Sequence, residues 1–100
     1  MSRTTITTQD GQFNGWFESD TATRYRDNVG DNDLQAGHCD LYQTAGRAFL
    51  LNFWDHYEGS RETFVQATNK EVAEWIIENG EPNGLEIPAD IQTRIDDQEV

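Results

Sequence analysis

Basic side chains are scarce in this chain: one lysine and six arginines stand against 19 Asp and Glu, leaving a net charge of -12 over 100 residues. Such a surface repels nucleic acid and anionic membranes and draws in basic proteins from a distance, so direct nucleic-acid binding is disfavoured. Cysteine is nearly absent too. The lone Cys39 excludes an internal disulfide, and no N-x-[ST] sequon occurs. No apolar run approaches the ~20 residues of a membrane span, and Met1 to Asp10 lacks the charged-then-apolar pattern of a signal peptide, so a cytoplasmic protein is expected. Glycine-rich phosphate loops are missing, as are H-E-x-x-H and G-x-S-x-G, and there is no internal repeat or low-complexity tract.

What is present is aromatic. Eleven Phe, Trp and Tyr supply large buried areas to a chain of 35 % apolar content, which argues for one ordered domain spanning residues 1–100, with 96–100 frayed. The centre of the pattern is Arg47 to Tyr57. Phe49, Leu51 and Phe53 fall on one side of a period of two, and Leu50 and Trp54 on the other, with Asn52 and His56 interrupting the second. Gly46 and Gly59 bracket this run at positions where a turn calls for a positive φ. With Asp40 to Gln43 before it and Glu62 to Ala67 after it, the expectation is a three-stranded antiparallel meander.

The period then changes. Val72, Ala73, Ile76 and Ile77 share one side of a helix predicted over Asn69 to Asn79, opened by a Thr68/Glu71 capping box and closed by Gly80. Its apolar stripe is expected to lie on the sheet. Toward the start of the chain, Thr4 to Gln9 and Gln12 to Glu18 read as a hairpin about Asp10-Gly11, with Phe13 and Phe17 on one side of the pleat; Asn14-Gly15 is a rival turn that would shift the register. Thr21 to Arg26 reads as a short edge strand around Tyr25, Asp27 to Asp40 as a polar loop, and Pro88 as the start of a short helix carrying Ile91 and Ile95. The fold class is therefore α+β: an antiparallel sheet of about five strands with the helix 69–79 packed on one face and a short C-terminal helix.

Each constellation that could carry chemistry has a plainer competitor. Asp27, Asp31, Asp33 and Asp40 offer hard oxygens, yet Ala36 stands where a calcium loop needs glycine, so a solvated acidic loop is the reading and no metal is expected. His38, Cys39 and Asp40 are thiol-protease residue types, but neighbours in sequence point apart. A metal-assisted hydrolase using His38 and His56 is the third-ranked class, and zinc would need an unusual ligand set. No cofactor or enzyme activity is expected. The partner-binding candidates are Glu71, Glu74 and Glu78 on one helical stripe with Trp75 at its boundary, and Asp27, Asp31 and Asp33 in the loop. Alternate residues on a strand lie ~6.6 Å apart, a spacing near that of two phosphate steps of ~3.4 Å along one DNA strand, so ordered carboxylates imitate a phosphate row. The competing explanation is that the charge serves solubility or salt adaptation.

The series Leu41-Tyr42-x-Thr44-Ala45-Gly46-Arg47, Leu51-x-x-Trp54, Gly59-Ser60-x-Glu62-Thr63-Phe64 and Glu71-x-Ala73-x-Trp75-Ile76-x-x-Asn79 resembles a family of small proteins of phages, plasmids and other mobile elements. That resemblance covers about forty residues and implies an α+β fold and a mobile-element setting. In size and acidity the whole chain is similar to anti-CRISPR proteins, several of which resemble DNA in charge and occupy the nucleic-acid channel of an effector complex. The resemblance implies a non-enzymatic inhibitor that binds a basic groove of a host CRISPR effector, of type I, and blocks target DNA. The alternative is a regulatory or accessory protein of a mobile element that pairs with a basic DNA-binding partner.

Overall fold

The computed structural model describes residues 3–28, 37–54 and 62–100. It is an α+β chain in two compact units, a sheet unit over Met1–Gln66 and a helical unit over Ala67–Val100. The sheet contains β1 (Arg3–Thr7), β2 (Phe13–Glu18), β3 (Thr23–Tyr25), β4 (His38–Gln43), β5 (Phe49–Trp54) and β6 (Thr63–Gln66), with a short 3-10 turn at Ser19–Thr21. Six strands thus stand where about five were expected. Their order is β2-β1-β6-β5-β4-β3, and β1 runs parallel to β6 through the pair Thr7↔Val65, so the sheet is mixed and not purely antiparallel. The β4–β5–β6 meander is as anticipated.

The two edge strands, β2 and β3, are consecutive in the chain and only four residues separate them, so the sheet has to curl until its edges approach. Across that curl the rings of Phe17 on β2 and Tyr42 on β4 stand 6.1 Å apart, and Phe64 packs against both. Ile6, Phe17, Leu50 and Phe64 form the inner core, with Ala22 and Tyr42 beside them. Leu50 therefore faces inward, while the odd positions of the same strand, Phe49 and Leu51, are buried on the outer side.

Two hairpins are built alike. In Thr8–Gln12 and in Thr44–Ala48 the first threonine's Oγ1 accepts from the N–H of the fifth residue, and its carbonyl accepts from the N–H of the fourth. The fourth position is left-handed, as a type I turn followed by a bulge requires. Gly11 meets that need at φ +86°, as the Asp10-Gly11 reading expected. In the second hairpin it is Arg47, at φ +66°, and not Gly46, that takes the left-handed conformation.

The rival Asn14-Gly15 signal is a bulge. The register passes from Thr5↔Trp16 to Thr7↔Phe13, three residues of β2 against two of β1, with Gly15 at φ +107°. The extra residue turns Phe13 out to solvent while Phe17 stays inside, which corrects the expectation that the two share a side.

In the helical unit, α1 (Asn69–Asn79) has the predicted bounds. Thr68 Oγ1 accepts from the Glu71 N–H, Glu71 Oε1 accepts from the Thr68 N–H, and Gly80 closes the helix at φ +85°. Here α2 (Ala89–Asp97) follows Pro88 and includes Asp96 and Asp97, which the sequence reading placed in a frayed end. The two helices pack together, and Val72, Ala73, Ile76, Leu85 and Ile91 are buried.

Candidate functional site

Charge is distributed unevenly along the chain. Residues 67–100 hold nine Asp and Glu against Lys70 and Arg94, a net of -7 out of -12 in the last third of the sequence. All of these acids but Glu71 are exposed. Glu71 is half-buried because its carboxylate is engaged at the helix start, where it also meets the positive end of the helix dipole. Glu74 and Glu78 stand one turn apart on the open side of α1, and Lys70 reaches Glu74 only at 4.0 Å, a solvent-exposed pair of little energy.

Trp75 does not sit at the boundary of that stripe. It is 5 % exposed, its backbone carbonyl accepts from Asn79 Nδ2, and its indole is not presented to a partner. A helix with Val72, Ala73 and Ile76 buried turns position 75 inward as well, so the apolar sector is wider on that side than the spacing of the isoleucines suggested. The large apolar side chain that α1 does expose is Ile77, 48 % open, at i+3 from Glu74 and beside Glu78.

The loop acids divide differently. Asp31 and Asp33 lie outside the described residues, as does His56. Asp27 is no solvated acid: its Oδ2 accepts from the Cys39 N–H at 2.7 Å, and its Oδ1 lies 3.2 Å from His38 Nδ1. The strand β4 begins at His38, two residues before the expected Asp40, and so places His38, Asp40 and Tyr42 alternately on the inner face opposite Trp54, Asn52 and Leu50.

That face is apolar at one end and polar at the other. Asp40 is fully buried, and its Oδ2 accepts from Arg24 Nε at 2.8 Å, Arg24 Nη2 at 2.6 Å and Trp54 Nε1 at 2.8 Å, while Oδ1 accepts from the Asp27 N–H at 3.1 Å. His38, its side chain 1 % exposed, stacks on Trp54 with ring centroids 4.1 Å apart, and the Arg24 guanidinium lies over the same indole. Burial opposes the charge on Arg24, but the hydrogen bond and proximity of Asp40 outweigh it and lift the pKa above the ordinary value.

This cluster clasps the edge strand β3 to β4 and β5. His38 is enclosed within it and is not set against Cys39 as a base against a nucleophile. Among the described residues no three His, Cys, Asp or Glu side chains are placed to hold a metal ion. The one sequence signal of the clasp is the alternation His38-x-Asp40-x-Tyr42, which the boundary between the expected loop Asp27 to Asp40 and the expected strand Asp40 to Gln43 divides. Two of the sheet unit's acids, Asp27 and Asp40, are thus engaged internally. Compared with models of known families, with curated proteins and with solved structures, the chain matches none.

Proposed function

We propose that the chain is a non-enzymatic acidic inhibitor whose helical unit docks in a basic nucleic-acid groove of a host CRISPR effector, of type I by the resemblance drawn above, and blocks target DNA. The observation that supports this reading is the segregation of charge: -7 over residues 67–100, with eight of nine carboxylates in solvent, five of them on the packed helices α1 and α2. Acids held on a rigid element steer a basic partner at long range, and salt weakens the attraction. Glu74 and Glu78 are the contacts on α1, with Ile77 between them in the anchoring role first given to Trp75. Glu71 contributes through the cap, and Asp27 stays in the clasp.

The test is electrophoretic competition between this protein and target DNA for the effector at low salt. The DNA complex is expected to disappear as protein is added. The variant Glu74→Gln/Glu78→Gln/Asp96→Asn/Asp97→Asn should associate roughly tenfold more slowly, with a flatter dependence on salt. DNA binding undiminished at saturating protein rules the proposal out.

A further inference from the structure

Strand register decides which side chains share the inner face of the curled sheet near its β4–β5 turn. Leu50 stands opposite Tyr42 on β4 and Gln66 on β6, so all three face inward, and Ile6 of β1 and Phe17 of β2 join them from across the curl. The pairing of β1 with β2 turns Arg3, Thr5, Trp16 and Glu18 the other way, and on that outer face Arg3 lies over the Trp16 ring.

The inward residues do not fill the space between them. A cavity of about 390 Å³ opens within the sheet unit, with Ile6, Phe17 and Leu50 as its floor, β2 along one wall and the β4–β5 turn along the other. The bulge sets Asn14 and Gly15 against Ile6 alone, and Gly15 and Gly46 put no side chain into either wall. The volume falls in the range of small-molecule sites, ~300–1,000 Å³, and the mouth of a barrel-like sheet is where such sites recur.

The rim is polar without being charged. Thr21 Oγ1 donates to the Glu18 carbonyl and Thr44 Oγ1 accepts from the Ala48 N–H, so both hydroxyls are partly engaged. Gln66, exposed at the mouth, offers an amide donor and an amide acceptor side by side. Among the described residues no charged side chain is aimed into the space, since Glu18 belongs to the opposite face. An ion of either sign therefore gives up water there and gains no countercharge. An uncharged amide exchanges its hydrogen bonds with water for equivalent ones with Gln66.

We propose that this cavity binds a small uncharged carboxamide, its aromatic or short aliphatic body on Ile6, Phe17 and Leu50 and its amide paired donor to acceptor with the amide of Gln66. The site does not involve residues 67–100 and stands whether or not the helical unit occupies a basic groove. Because the head group sits at the mouth and keeps part of its water, discrimination against charged analogues is modest, roughly fivefold.

Three probes of similar shape and different charge test it: 3-phenylpropanamide, 3-phenylpropylamine and 3-phenylpropanoate, titrated at millimolar concentration and neutral pH and followed by backbone amide NMR shifts. Saturable shifts centred on 14–18, 44–48 and 66 are expected, with the amide bound roughly fivefold tighter than either ion. Gln66→Leu should remove that preference, and Gln66→Glu should invert it and make the amine the tightest of the three. Ala48→Phe, at an exposed position two residues from Leu50 and on its side of the strand, should fill the opening and abolish binding of all three. The proposal is overturned if the native chain binds either ion as tightly as the amide, gives no saturable shift with it, or shows shifts centred elsewhere. It is overturned equally if the Gln66 variants keep the native order or Ala48→Phe still binds.

Discussion

Replacing Asp40 by Asn keeps the shape of the side chain and removes its charge. In the native clasp three donors converge on Oδ2 and one on Oδ1. An amide whose oxygen takes the place of Oδ2 turns its NH₂ onto the Asp27 N–H, donor against donor. A hydrogen bond to a charged group contributes ~1.5–3 kcal/mol, and breaking a buried ion pair costs ~3–5 kcal/mol. Arg24 is 41 % exposed and regains water when its partner is neutralised, so the lower end applies and the loss is about 3 kcal/mol. With a urea m-value of ~1.5 kcal/mol/M for a chain this size, the unfolding midpoint falls by about 2 M. Equilibrium unfolding followed by tryptophan fluorescence and circular dichroism measures it. The converse change, Arg24→Met, should cost more, because it leaves a fully buried carboxylate with the Trp54 and Asp27 donors alone among the described residues. The double variant Arg24→Met/Asp40→Asn should then be more stable than Arg24→Met alone. A loss below about 1 kcal/mol for Asp40→Asn, or Arg24→Met as the milder change, would refute this account of the clasp.

Tyr42 offers a pH test. Burial raises its pKa most; Arg24 lowers it, and Glu62 and Asp40 raise it further, so the folded value lies above the ordinary 10.0. A phenol with a raised folded pKa contributes stability that is whole below about pH 10 and lost as pH climbs through the folded value. Urea midpoints from pH 9 to 11.5 should therefore fall less steeply for Tyr42→Phe, which keeps the ring packing on Phe17 and Phe64, than for the native chain; equal slopes contradict the assignment. Arg47→Gly relieves the left-handed backbone of the second hairpin, and after the entropic cost of glycine it should stabilise by about 0.5–1 kcal/mol, raising Tm by a few degrees in calorimetry.

Features encoded by neighbours in sequence were legible. The helix Asn69–Asn79 came out with its exact bounds because Thr68, Glu71 and Gly80 act within one turn of its ends. Gly11 marked the first hairpin for the same reason. Long-range pairings left no such trace. Nothing in Thr4 to Gln9 announces that β1 joins β6 in parallel, and the start of β4 at His38 reads as loop, because the polar residues there and at Asp40 find partners remote in sequence. The bulge is half-visible: Asn14-Gly15 reads as a turn signal, but the same dipeptide serves an irregular edge strand, and the choice is made by Phe17 reaching the core. The acids were countable from the start. Which of them face solvent depended on burial, and Asp27 and Asp40 went to the interior.

The junction of β1 with β6 has a consequence for the molecule as a population. The β1–β2 hairpin and the β4–β6 meander each assemble from chain neighbours, whereas their seam at Thr7 and Val65 joins opposite ends of the sheet unit, and Thr7 Oγ1 is buried there with no hydrogen-bond partner among the described residues. When that seam unzips, β6 is left with a bare edge, and the hairpin of a second molecule fits it as well as the first. Exchange of hairpins is therefore the form of association expected when such molecules are crowded together, and the mutual repulsion of a -12 charge opposes it.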